Sequence, residues 1–181
     1  MATAPYHMPW SVLGSSHVER YRRLHPCRGG SVGADAVNRR SAGVPGRGLE
    51  GDRYFAGTGL YSKKSSFGGR EGTLIEIEAV EALFGGVLNA EGERCGIKLA
   101  AADSRHNIAT SSVPLNHLVD REFWVGAVLM RGTRLCESCK HLDDLTLHGV
   151  RSGLIHRKGL RTLLLSEGVI RVSDAVRSKS S

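Results

Sequence analysis

The chain of 181 residues has no long apolar run. No stretch approaches the roughly 18 consecutive apolar residues that a membrane-spanning helix needs. Met1–Trp10 lacks a basic start followed by an apolar core, so no secretory signal is read there. These absences lead to the expectation of a cytoplasmic protein with no membrane partner. Cysteine is scarce: Cys27, Cys95, Cys136 and Cys139 are all there is. In a reducing compartment a cysteine pair serves metal or redox chemistry more often than a structural disulfide. The sequence contains no GxxxxGK[ST], no GxSxG and no HExxH, so P-loop, serine-hydrolase and zincin readings have no positive support. No internal repeat is present, and the 23 glycines have no period of three, which excludes a collagen-like chain.

What is present fits one small domain. A 40% hydrophobic content is enough for one buried core. The scattered glycines imply many tight turns, as a β-rich fold requires. The formal charge is +7, but residues 1–45 carry six arginines (Arg20, Arg22, Arg23, Arg28, Arg39 and Arg40) against Glu19 and Asp35, so +4 of it sits in the first quarter. Nucleic-acid binding through these arginines is the weaker reading of that charge, since a moderate surplus also serves solubility.

Residues 1–45 show little regular pattern and are read as an atypical or poorly ordered segment; residues 46–176 form the domain and 177–181 a frayed tail. Nine of the thirty residues from Gly43 to Gly72 are glycine. This loop also holds Arg47, Arg53, Lys63, Lys64 and Arg70, a composition suited either to cradling an anion or to a flexible surface. The single G-x-G at 46–48 is too weak to mark a dinucleotide site. Thr73–Ile77 alternates as a strand, and Glu78–Phe84 follows as a short helix with Val80, Leu83 and Phe84 on its apolar face, stopped by Gly85-Gly86. Arg105–Thr110 has a short strand-like centre, and further strand segments are read at Glu122–Trp124, Ala127–Arg131, Gly159–Leu165 and Val169–Val172, with a turn or helix fragment at Pro114–Asn116 and a short helix at Lys140–Leu147. Short strands at turn-like spacing with few helices favour a barrel or sandwich.

Cys136-x-x-Cys139 is the sharpest chemical feature. It permits a zinc site with His141 or His148, a redox disulfide, a single soft thiolate ligand to a transition metal, or small buried side chains. Arg105-His106-Asn107 is the second constellation. Arginine offers a planar fork for phosphate or carboxylate, and asparagine offers both donors and an acceptor for a heterocycle edge.

Four blocks in order resemble the MOSC family, named for the C-terminal part of molybdenum cofactor sulfurases, in its small stand-alone bacterial form. They are Gly48–Tyr54, Gly72–Glu76, Arg105–Thr110 with Leu115–Leu118 and Phe123–Gly126, and Cys136–Cys139 with Gly168–Asp174 behind it. The resemblance implies a mostly β fold with a few short helices, a closed or partly closed barrel. It implies a pyranopterin molybdenum cofactor held by a thiolate at Cys139, which is both the metal ligand and the reacting centre. Arg105 and Asn107 fall where relatives contact the cofactor; Arg53 carries over to anion contact or to loop organisation, and Cys136 is grouped with the cofactor-binding residues. It further implies an oxidoreductase that reduces N-hydroxylated small molecules, re-reduced by an electron-donor protein, with a homodimer compatible. A non-catalytic cofactor or sulfur carrier is the alternative, and the family also has an association with pyridoxal phosphate binding. The chain departs from the family pattern at His106, where a second arginine is common, and at Ser112 and Ser173, near which glycine is usual. No strand is recognisable ahead of the first block.

Overall fold

The computed structural model describes residues 17–21, 40–52, 54–57, 71–85, 96–99, 101–137, 144, 146–157 and 159–179. Ten strands are β1 (His17–Tyr21), β2 (Arg40–Val44), β3 (Gly48–Leu49), β4 (Gly72–Glu76), β5 (Ile108–Ser111), β6 (Glu122–Val125), β7 (Val128–Leu135), β8 (Leu160–Leu164), β9 (Gly168–Arg171) and β10 (Val176–Ser178). The helices are α1 (Ile77–Gly85) and α2 (Val150–Gly153), with 3₁₀ turns at Ala101–Ser104 and Leu115–Leu118. The protein is mostly β, as its turn-rich composition implies.

Seven strands form one sheet in the order β1-β5-β4-β8-β7-β6-β10, and β3-β2-β9 form a second. The larger sheet curls into a partly closed half-barrel. Its inner face follows the period of two: Leu74 on β4, Ile108 on β5, Leu160 and Leu164 on β8, and Val128 and Met130 on β7 are all buried in one cluster. Leu49 of β3 and Ile170 of β9 join that cluster, so the small sheet plugs the open side of the large one. A Cβ on Gly43 of β2 would come within 2.9 Å of the Leu164 side chain, which is why the small sheet can seat so closely.

β4 and β5 are parallel, and a parallel pair needs a crossover; α1 lies in it. The helix covers the outer face of this pair, with Val80 packed on Ile75 and Ala109. Its Leu83 reaches Val150 and Leu154 of the α2 segment. Val80 and Leu83 are therefore buried as their spacing predicts, and the helix ends at Gly85 as expected.

Two features depart from the periodicity. Residues 1–45 contain two strands where none is recognisable in the sequence. β1 pairs antiparallel with β5, and β2 lies between β3 and β9. Both are only five residues long, and β2 reads Arg-Ser-Ala-Gly-Val, with too few large apolar side chains to signal a strand. At the other end, β10 extends to Ser178 and pairs with β6, so ladder pairing reaches into the segment expected to fray.

Ser112 and Ser173 both adopt left-handed backbone, with φ of 57° and 72°. Glycine takes that conformation without strain, which accounts physically for its use near these positions in the family the sequence resembles. Here the amide of Ser112 donates to the Glu78 carboxylate at 2.8 Å, which helps to hold the strained turn.

Candidate functional site

The second constellation is built at the entry to β5. Asn107 is buried, and its Oδ1 accepts from the Thr73 amide at 2.7 Å and from the Thr73 hydroxyl. The backbone N–H of Thr73 can only donate, so the atom facing it must be Oδ1 and the amide orientation is settled. The backbone N–H of Asn107 in turn donates to the Thr73 carbonyl at 3.1 Å. The acceptor of this asparagine is thus committed to joining β4 and β5, and what remains for a ligand is its Nδ2 donor.

His106 is buried rather than presented. Its Nδ1 lies 3.2 Å from the Ser104 hydroxyl, which gives its own proton to the Ala101 carbonyl at 2.6 Å. A hydroxyl with its one proton committed can only accept, so Nδ1 carries the ring proton. Arg105 is partly exposed and sits at φ 67°, a sparsely populated conformation for a non-glycine residue.

Cys136 follows β7. Its amide donates to the Gly159 carbonyl at 2.9 Å, and its thiol is buried. The register of β7 against β8 shifts between Gly132 and Arg134, leaving Thr133 as an extra residue. This bulge reverses the alternation: Leu135, paired with Leu160, turns inward onto the core, and Cys136 turns to the outer face. Thr73 pairs with Arg161, and Arg161 pairs with Arg134. Directly paired residues share a face, so Asn107, Thr73, Arg161, Arg134 and Cys136 all belong to the outer face of the half-barrel. The structure therefore brings Asn107 and Cys136 onto one face, with Arg161 between them. Arg161 was not singled out by sequence; within the basic stretch Arg151–Arg161 nothing local distinguishes it from a solvated side chain.

An open pocket of about 280 Å³ lies at the adjoining rim of the half-barrel. Glu76, Glu78, Asn116, His156, Arg157 and Gly159 line it. Glu76 is held by the Leu115 amide at 2.8 Å, and burial pushes its carboxyl above the ordinary value of 4.5, an effect that the Leu115 hydrogen bond opposes and the Glu78 charge reinforces. Gly159 joins this pocket to the Cys136 backbone.

Cys139 and Arg53 lie outside the described residues. So do Cys27, Cys95, His141, Lys63, Lys64, Arg70 and most of the expected helix Lys140–Leu147. Among the described residues no three metal-ligating side chains cluster.

No family model and no curated protein sequence matches the chain. Solved structures do match it. YiiM from Escherichia coli superposes at a TM-score of 0.60 with 14% identity, over 93% of this chain and 71% of that one. The YUAD protein from Bacillus subtilis superposes at 0.61 with 14% identity, over 91% and 98%. YiiM is a MOSC-domain protein. The fold is MOSC-like. YiiM from Geobacillus stearothermophilus shares the MOSC-like core at a TM-score of 0.50 with 15% identity, over 61% of this chain; the chain spans 55% of that protein's length. At these identities the MOSC-like likeness is one of fold, and side-chain chemistry is read from this chain alone. Among the described residues no helix is long and apolar enough to cross a membrane.

Proposed function

We propose that this MOSC-like chain binds a pyranopterin molybdenum cofactor on the outer face of the half-barrel and reduces N-hydroxylated small molecules. The observation that supports the reading best is the shared face of Asn107, Arg161 and Cys136. It combines an oriented amide donor, a guanidinium whose buried Nε has no hydrogen-bond partner among the described residues, and the start of the Cys136–Cys139 segment. The group fits this donor set. It is anionic and brings sulfur ligands of its own, so it requires one protein thiolate rather than a cluster of three or four protein ligands.

When bound, the cofactor supplies the redox chemistry that accepts oxygen from an N–OH compound. The chain holds and orients it. Cys139, three residues beyond Cys136, is the proposed thiolate ligand. Asn107 offers Nδ2 from a carbonyl-locked amide, and Arg105 and Arg53 offer guanidinium donors to anionic oxygens. The pocket at Glu76 and Gly159 is the adjacent space for a small substrate, and an electron-donor protein completes the cycle. A non-catalytic cofactor carrier would use the same face without turnover.

Elemental analysis with pterin fluorescence on protein from a cofactor-competent host tests this. Wild type is expected to carry molybdenum, Cys139→Ser to lose it, and Cys136→Ser to lose less. Equal molybdenum in wild type and Cys139→Ser would overturn the ligand assignment, and one zinc per chain would overturn the cofactor reading. Reduction of an amidoxime by loaded protein with an electron donor separates enzyme from carrier.

A further inference from the structure

Arg134 and Arg161 are direct cross-strand partners on β7 and β8. Like charges directly opposite each other repel and destabilise a strand pair. Among the described residues neither arginine has an ion-pair partner. The ion pairs formed there by Arg131 and Lys179 both go to Glu122, on β6. Arg161 is also half-enclosed, and its Nε is buried with no hydrogen-bond acceptor among the described residues. A buried donor on a cation without an acceptor is costly, and the like charge of Arg134 directly opposite adds to that cost. One arginine is exposed and the other partly covered, so the pair is anchored at one end and reachable at the other.

We infer that Arg134 and Arg161 form an anion site that takes a phosphate monoester. A dianionic phosphate has the charge to offset both guanidiniums, and its three terminal oxygens can accept from both forks at once. The Thr73–Asn107 pair lies in the same row and limits the site on the β4 side. The row across β5, β4, β8 and β7 consists of Asn107, Thr73, Arg161 and Arg134 and holds no carboxylate; the Glu122 and Glu71 carboxylates nearby are engaged with Arg131 and Lys179 and with the Leu164 amide. The bulge at Thr133 is what brings Arg134 opposite Arg161; its hydroxyl donates to the Arg161 carbonyl at 3.1 Å.

The phosphate could belong to a bound pterin cofactor or to a separate phosphorylated small molecule. The proposal concerns the phosphate itself and does not require the cofactor reading. Inorganic phosphate is titrated into cofactor-free full-length protein by NMR or calorimetry at fixed ionic strength. Saturable binding is expected, weakened by about tenfold or more in Arg134→Met and in Arg161→Met, the loss of a charge-assisted pair. Arg131→Met, on the same strand but engaged with Glu122, serves as the control and is expected to bind like wild type. Arg134 is exposed, so Arg134→Met reports even if Arg161→Met folds poorly. Absence of saturable binding in wild type, or equal binding in Arg134→Met and wild type, overturns the proposal. Loaded protein that no longer takes inorganic phosphate identifies the pterin as the source, whereas unchanged binding by loaded protein identifies a separate ligand. Failure here leaves molybdenum content untouched, so it is distinguishable from failure of the cofactor reading.

Discussion

The amide of Cys136 donates to the carbonyl of Gly159 at 2.9 Å, and this one bond ties the end of β7 to the start of β8. Gly159 makes the contact from left-handed backbone, φ 88°, with its Cα pressed against β4. A Cβ there would lie 1.9 Å from the Leu74 carbonyl oxygen. Cys136 is thus positioned by a residue that must lack a side chain.

Gly159→Ala is accordingly expected to destabilise the fold by about 3 kcal/mol or more, combining left-handed strain with a clash against backbone. Urea denaturation at unchanged slope measures it. A loss below about 1 kcal/mol would mean that the β4–β8 contact relaxes easily.

Ser173→Gly should act in the opposite direction. Ser173 is exposed at φ 72°, so glycine removes strain without removing packing. A gain of about 0.5–1 kcal/mol is expected, seen as a higher melting temperature. No change, or a loss, would show that the serine compensates its own backbone.

Deletion of Thr133 tests the bulge. Thr133 is the extra residue, so its removal leaves Arg134 opposite Arg161 and Leu135 opposite Leu160 in a continuous ladder, with both faces unchanged. The expected cost is the Thr133 hydrogen bond to the Arg161 carbonyl, about 0.5–1.5 kcal/mol, read by urea denaturation. A loss well above about 2 kcal/mol, the burial of one leucine, would show that Leu135 has left the core.

Asn107 separates scaffold from ligand contact. Asn107→Ala leaves the Thr73 amide without its side-chain acceptor, and a loss of about 1–3 kcal/mol is expected. Asn107→Asp keeps that acceptor but replaces the Nδ2 donor with a second anionic oxygen. It should fold while retaining less pterin; full retention would remove Asn107 from the cofactor's contacts.

Glu76 makes stability pH-dependent. Burial raises its carboxyl above 4.5 in the folded state, so the folded chain holds the proton longer than the unfolded chain. This contribution is present below about 4.5 and is lost as pH rises through the folded value. Glu76→Gln can still accept from the Leu115 amide and carries no charge. Its stability advantage over wild type should therefore open as pH rises through that window and then level off. A pH-independent offset would assign the effect elsewhere.

Much of the architecture was legible locally. The alternation of Thr73–Ile77, the spacing of Val80 and Leu83, the Gly126 hairpin and the β8 and β9 runs reflect periodicities of two and 3.6 that each segment carries by itself. Ser112 and Ser173 were marked by family resemblance and proved to be left-handed. The strands β1, β2 and β10 were not legible, because they are short edge or small-sheet elements whose pairing comes from distant partners.

By itself the sequence determined the β-rich class, the position of most strands, and the residue types able to meet an anion or a soft metal. Only the tertiary structure decided which of them share a surface. A single extra residue at Thr133 changes the face of everything after it, and ladder pairing across four strands sets Arg161 between Asn107 and Cys136. Neither relation exists within any one segment. Both arise from hydrogen-bond register between strands far apart in the chain, and local side-chain pattern does not encode register across a bulge.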